Sequence, residues 1–206
     1  QAWIGCTFSG MSLVVVNNRL PAMNMSLLAQ RPGEPSATTG PVFTDTAPFP
    51  AHGFSFTLNG MENLKFENFT LNIRNNIEVV YTLNGKRYCH KHHAGGLDVS
   101  GSITLEFETE AERRRLWGAL SATGPQNDVE PGSLAAAAAH PAEAAEGYPF
   151  AFSIEIPELY YESAPANITR AHDRVLQKIA FKPSWNRGAG RIIGLTMRNR
   201  VESYPD

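Results

Sequence analysis

The sequence predicts a mainly β protein: a β-sandwich or barrel with one flanking α-helix and long loops. Three observations carry that prediction. Along Asp98–Glu108, Val99, Gly101, Ile103, Leu105 and Phe107 alternate with Ser100, Ser102, Thr104, Glu106 and Glu108. Side chains in a strand point alternately to opposite faces, so one face is built for burial and the other for water. The strand runs straight into Thr109–Trp117, where Thr109 and Glu112 match a capping box at a helix start. Turn signals divide the chain into about eight such strand-like runs, the pattern of a sandwich or barrel.

The elements follow in order. Met11–Val16 and Pro21–Leu28 flank the turn signal Asn17-Asn18, and Met23, Met25 and Leu27 alternate with Asn24 and Ser26. That pattern is a hairpin. From Ala29 to Pro50 the prolines and glycines predict a long loop, of the kind that is usually functional or mobile. Gly53–Leu58 starts the next strand. In Leu64–Asn72 the apolar side switches within the run, which predicts a bulge or a strand crossing between sheets. Ile77–Leu83 and Arg87–His90 flank Asn84-Gly85, a strong hairpin signal. The helix is expected from Thr109 to about Ala122, with Leu116, Trp117 and Leu120 as its buried stripe. Gly124–Gly147 is alanine-rich, and reads either as a short helix at Ser133–His140 or as a flexible excursion. Pro149–Ile156 alternates cleanly. Ile168–Phe181 and Arg191–Arg200 are further strand candidates, with Asp173–Ile179 alternatively a short helical turn. The 206 residues are expected to form a single domain.

Composition narrows the function classes. Apolar residues make up 42% and charged residues 18%, the balance of an ordered globular chain. A net charge of -2 gives no general attraction to nucleic acid or anionic membranes. No apolar run reaches membrane-spanning length, and no basic-then-apolar start resembles a signal peptide. The first residue is Gln1 rather than Met, consistent with an N-terminal portion being missing or removed. The two cysteines, Cys6 and Cys89, are too few for a disulfide framework and are expected to be separate thiols from a reducing compartment.

Few motifs point to chemistry. Cys89-His-Lys-His-His93 has metal-ligand residue types, and His90 and His92 would share one face of a strand. A second ligand pair is missing, so a polar, exposed hairpin end is the expectation. There is no Gly-x-Ser-x-Gly elbow, and the glycine pairs at Gly95-Gly96 and Gly188–Gly190 lack a phosphate-loop context. No catalytic residue and no cofactor are expected. Sequons at Asn24, Asn68 and Asn167 read as coincidence. Arg113-Arg114-Arg115 spread round a helix and read as a solvated face, or as arginines at a subunit contact.

A resemblance appears once the runs are placed in order. Phe69–Tyr81, Gly95–Glu108 with its helix and Trp117, Phe150–Pro157, Leu176–Pro183 and the paired strands of Gly5–Gln30 together resemble the tail tube proteins of long-tailed bacteriophages. The resemblance implies a sandwich or barrel flanked by a helix, and a non-enzymatic virion protein. It implies copies assembled in the host cytoplasm into stacked, usually hexameric rings. The implied partners are further copies, the tip, terminator and tape-measure proteins, and DNA that passes through the lumen without specific binding; no membrane is involved. The subunit-contact candidates are Arg31, Phe43, Tyr88, His90, His92, Arg113 and Trp117, with Ala29–Pro50 and Tyr81–Gly96 as contact loops. Two features depart from the pattern: extra N-terminal sequence common in the family is not found, and Gly124–Gly147 is foreign to it. The alternative is a carbohydrate- or receptor-binding β-sandwich, or another tail-tip or baseplate component, with Tyr160, Tyr161 and Trp185 available to stack on sugars.

Overall fold

In a computed structural model, the described residues are 3–33, 49–62, 65–83, 87–107, 111–121, 123–124, 126, 129–145, 148–167 and 174–198. The expected turn at Asn84-Gly85, the Thr109 cap, Phe43 and most of the Ala29–Pro50 loop lie outside them. The chain is mainly β, as the alternation predicts. In order, the strands are β1 (Trp3–Ile4), β2 (Thr7–Val16), β3 (Ala22–Leu28), β4 (Arg31–Pro32), β5 (Phe54–Leu58), β6 (Met61–Glu62), β7 (Phe66–Asn75) and β8 (Glu78–Val80). There follow β9 (Lys91–His93), β10 (Leu97–Glu106), helix α1 (Ala111–Leu116), β11 (Gly132–Ala145), β12 (Tyr148–Ser163), β13 (Ala166–Asn167), β14 (Leu176–Pro183) and β15 (Gly194–Arg198).

Eleven strands form one antiparallel sheet in the order β3-β2-β7-β10-β14-β12-β11-β5-β6, with β13 on β14 and β15 on β12. The pairs β1-β4 and β8-β9 stand apart as two small sheets. The large sheet folds over on itself. Four strands separate β7 from β5 in the sheet order, yet Phe56 of β5 stacks on Phe66 at 4.9 Å and meets Phe69 at 5.2 Å, both in β7. Aromatic contacts of that kind add about 0.5–1.5 kcal/mol to the area they bury. Between the layers lie Leu13, Leu71, Ile103, Leu134, Ile156, Ile179 and Phe181, all buried. The bulge expected early in β7 is present: the pairing with β10 shifts between Thr104 and Leu105, opposite Phe66–Asn68.

The alanine-rich run is neither a helix nor an excursion. It is β11, a fourteen-residue strand between β5 and β12. Leu134, Ala136 and Ala138 are buried, while Ala135, Ala137 and Ala139 are exposed. A period of two cannot be seen where both faces carry the same residue, and alanine favours helix when tertiary contacts are ignored. Tertiary pairing decides here. Ala136 lies between Phe56 and Ile154, and Ala138 between Phe54 and Phe152, so a small residue fills a row already crowded by large neighbours.

Strand β12 also outruns its expected end at Ile156. Proline cannot donate to a ladder, so a strand tolerates it only at an edge or a bulge. The β11-β12 register shifts between Gly132 and Leu134, opposite Pro157, and again between Ala139 and Glu143, around Pro141. Beyond Pro157, β12 pairs with β14; before it, with β15. Helix α1 is much shorter than expected. Gly118, at φ 125, accepts the backbone turn that ends it, and Leu120 is exposed rather than part of a buried stripe.

Two substitutions test this packing. Phe69→Ala should lower the unfolding free energy by about 3–5 kcal/mol in chemical denaturation. Gly101→Ala places a Cβ 2.3 Å from the Phe181 ring and 2.7 Å from the Thr70 carbonyl oxygen, and should cost about 1–3 kcal/mol.

Candidate assembly surfaces

Four of the seven residues singled out from the sequence meet at one knot. The guanidinium of Arg31 lies over the Tyr88 ring, 5.5 Å from its centroid. Beside it, the Gln30 side-chain amide donates to the carbonyls of Cys89 at 3.0 Å and His90 at 2.6 Å. The Gln30 backbone N–H donates to Ile4 and Gly5, and the Cys89 thiol approaches the Gln30 carbonyl at 3.7 Å. His92 bridges the rest: Nδ1 is 2.9 Å from the Thr7 hydroxyl and Nε2 is 3.4 Å from Cys89 Sγ. One glutamine thus ties the start of the chain, the segment after β3, and the β8-β9 arm together. Gly5 at φ 66 lies so close that an added Cβ would come within 2.8 Å of Gln30.

The histidines do not act as a pair. His90 precedes β9 and is exposed, whereas His92 is half-buried and engaged on both ring nitrogens. Among the described residues no group of three or more His, Cys, Asp or Glu side chains gathers as a metal would require. Cys6 is exposed and Cys89 buried, both as free thiols.

Arg113 on α1 and Trp117, just past its end, lie elsewhere, with the guanidinium 4.8 Å from the indole centroid. The helix is pinned to the sheet by a polar cluster. Tyr161 donates to the Glu112 carboxylate, and Asn59 Nδ2 donates to Tyr161 at 2.9 Å and to Glu112 at 3.3 Å. Asn59 Oδ1 in turn accepts from the Ser133 backbone at 3.0 Å. Burial, then the neighbouring Glu112 carboxylate, pushes the Tyr161 phenol well above its usual value of 10.0. Tyr161 is therefore a buried anchor and not an exposed stacking platform, whereas Trp185 is exposed. Tyr160 is half-buried and donates to Glu158 at 3.2 Å.

The surface the sequence reading passed over is β3. It reads as half of a hairpin, and it is; it is also the outermost strand of the large sheet. Met23, Met25 and Leu27 pair with Leu13, Met11 and Phe8 of β2, so they point to the core side. Yet they are 42%, 59% and 62% exposed. The reason is geometric. Among the described residues the opposite layer ends at β5 and β6, with β5 already facing β7, so no described strand lies across from β3. The stretch Leu20–Gln30 carries no charged residue, and edge strands are normally protected by charge, proline or a covering loop. The sequence shows the alternating, uncharged apolar row; that the row is left exposed comes from the tertiary structure.

Residues 1–147 match the family model described as phage tail tube protein. No curated protein matches the chain.

Removing the phenol hydroxyl tests the helix anchor. Tyr161→Phe should cost about 1–2 kcal/mol at neutral pH by stranding part of the Glu112–Asn59 cluster. The raised phenol value means that the unfolded chain loses this proton first. Stability held by Tyr161 is thus full below about pH 10 and falls as the pH climbs from there towards the raised value. Thermal melts from pH 8 to 11 should show that alkaline fall in the parent protein and a shallower one in Tyr161→Phe.

Proposed function

The chain belongs to the phage tail tube protein family, a structural component of the virion tail, and from that premise we propose that all 206 residues form one ring-building unit of the tube. Copies join head to tail into closed, hexameric rings, and the rings stack into a conduit for DNA. The observation that carries this reading is the overhang of β3. Among the described residues its outer backbone edge has no partner strand and its apolar row is exposed, so a neighbouring copy both completes the ladder and buries Met23, Met25 and Leu27. Full burial of such side chains is worth about 1.5–3 kcal/mol each.

The knot of Arg31, Tyr88, His90 and His92 is the proposed ring-to-ring contact, because it anchors the β8-β9 arm, whose ladder is separate from the large sheet. Arg113 on α1 and Trp117 just after it offer a second seam. The tip, terminator and tape-measure proteins are the further partners, and the role is structural rather than catalytic. A carbohydrate-binding module is the weaker reading: it needs exposed rings placed together, and Tyr161 is committed to Glu112.

The experiment is electron microscopy of the concentrated protein with mass photometry on the same sample. The expected result is rings or hollow rods that grow with concentration. Met25→Asp puts a charge on the exposed row without touching the core, so it should leave the thermal melt nearly unchanged and abolish the polymers. Polymers of undiminished length from Met25→Asp would count against β3 as the contact, and a parent protein that stays monomeric at every concentration would count against the tube reading.

A further inference from the structure

The turn between β14 and β15, residues 184–193, lies outside the family-matched portion and displays an exposed tryptophan, Trp185. The turn is built to hold its shape. The Asn186 backbone N–H donates to Arg191 at 3.2 Å, and its carbonyl accepts from Gly190 at 2.9 Å. The Asn186 side chain accepts from the Ala189 backbone at 2.7 Å and donates to the Glu158 carboxylate at 3.1 Å. The Ser184 N–H donates to the Glu158 carbonyl at 3.0 Å, and Gly190, at φ 64, takes the left-handed backbone the turn needs. Arg191 is paired with Glu155, which leaves Arg187 as the exposed cation at the tip. An indole and a guanidinium, the groups enriched at binding hot spots, thus sit on a loop that has little order left to lose.

A cavity of about 420 Å³ lies towards the other end of the strands. Phe54 and Phe56 of β5 and Phe66 of β7 wall it, with His52, Glu62 and Glu67 beside them. Phe54 and Phe66 are only half-buried, so ring surface remains for an aromatic guest. Glu67 is held by Arg174 at 2.6 Å, so the exposed Glu62 is the carboxylate that faces an incoming cation. The turn cannot reach the cavity of its own chain. Phe66 lies across from Leu105, and Leu105 from Gln177, whereas the turn starts beyond Pro183. At about 3.3 Å per residue, the run from Gln177 to Pro183 puts roughly 20 Å between them along the strand.

We propose that the 184–193 turn is a plug and this cavity its socket on a second copy, with Trp185 against Phe54 and Phe66, and Arg187 on Glu62. This rests on the tube reading above and names a plug-and-socket pair between successive rings. A neighbour added at the β3 edge lies beside the strands, whereas plug and socket lie towards their opposite ends. Contact between unlike surfaces at opposite ends repeats without closing, as a stack of rings requires. The signs agree as well: the tip is cationic and the socket carries carboxylates, which fixes register and disfavours wrong pairings. A small apolar ligand would leave Glu62 unmatched; a second copy's turn supplies ring and cation together.

The test joins the two ends. Ala189→Cys and His52→Cys, both at exposed positions, are combined in a Cys6→Ser background, since Cys6 is the exposed native thiol and Cys89 is buried. A short bis-maleimide should give ladders of linked chains in assembled tubes and unlinked chains before assembly, and each single-cysteine variant should give no ladder. In parallel, Trp185→Ala and Arg187→Glu should melt like the parent, because both side chains are exposed. Each should leave unstacked rings and raise the concentration at which tubes form by about tenfold or more. Arg187→Glu/Glu62→Arg should recover most of that loss. Tubes of parent length from Trp185→Ala overturn the proposal. Intact tubes without ladders overturn it too and leave the turn to a different partner, as does linkage within one chain before assembly. Absence of tubes from the parent protein defeats the tube reading itself, and this contact with it.

Discussion

The stack of Phe56 on Phe66 and Phe69 fixes the shape of everything else. These rings belong to strands far apart in the sheet and close together in the chain. Closing a loop of roughly a dozen residues costs little conformational entropy. The contact folds the sheet so that β5 faces β7, and that choice sets which strands are covered. Strand β7 and its neighbours gain an opposite layer. Strand β3, two places further out, does not. The same rings that bury the core therefore create the overhang.

That overhang would be a liability in a protein meant to stay alone. An uncharged, apolar edge invites pairing with any similar strand. In a protein that assembles, the same edge is a contact that cannot be satisfied within one copy. The polar devices of the chain are spent elsewhere. Gln30 and His92 hold the arm in place, and Tyr161 with Glu112 and Asn59 holds the short helix. Neither cluster includes Met23, Met25 or Leu27 among its hydrogen-bonded residues.

Most of the fold was legible because most strands carry a clear period of two. Val99, Ile103 and Leu105 are buried as their alternation predicts, and the switch of face in the Leu64–Asn72 run marked a real bulge. What failed did so for local physical reasons. The β11 run hid its period because alanine occupied both faces. The end of β12 was misplaced because Pro157 breaks one register without ending the strand. The helix stops short of its apolar stripe because Gly118, at φ 125, turns the backbone away. The site was less legible than the fold. Arg31, Tyr88, His90 and His92 do converge, but Gln30, the residue that gathers them, has no motif around it. Exposure of Met23, Met25 and Leu27 depends on where the opposite layer stops, which is a tertiary fact that no window of sequence contains.

The region matched to the family ends at residue 147, and the sheet order shows what that portion lacks. It supplies β3-β2-β7-β10 on one side and β11-β5-β6 on the other, with no ladder between the two groups. Strands β12 and β14 come from beyond the match, and they are the two that lie between β10 and β11. They also provide Ile154, Ile156, Leu159, Ile179 and Phe181, all nearly inaccessible to water. The later part of the chain is therefore the hinge of the folded sheet rather than an appendage. Without it the Phe56 stack would have to hold two separate sheets together by side chains alone, and at about 0.5–1.5 kcal/mol per aromatic pair beyond area burial it is too weak for that. The open edge at β3 and the β12-β14 junction at the middle of the sheet belong to one continuous ladder, so a change in the packing of either layer alters the curvature of the exposed edge.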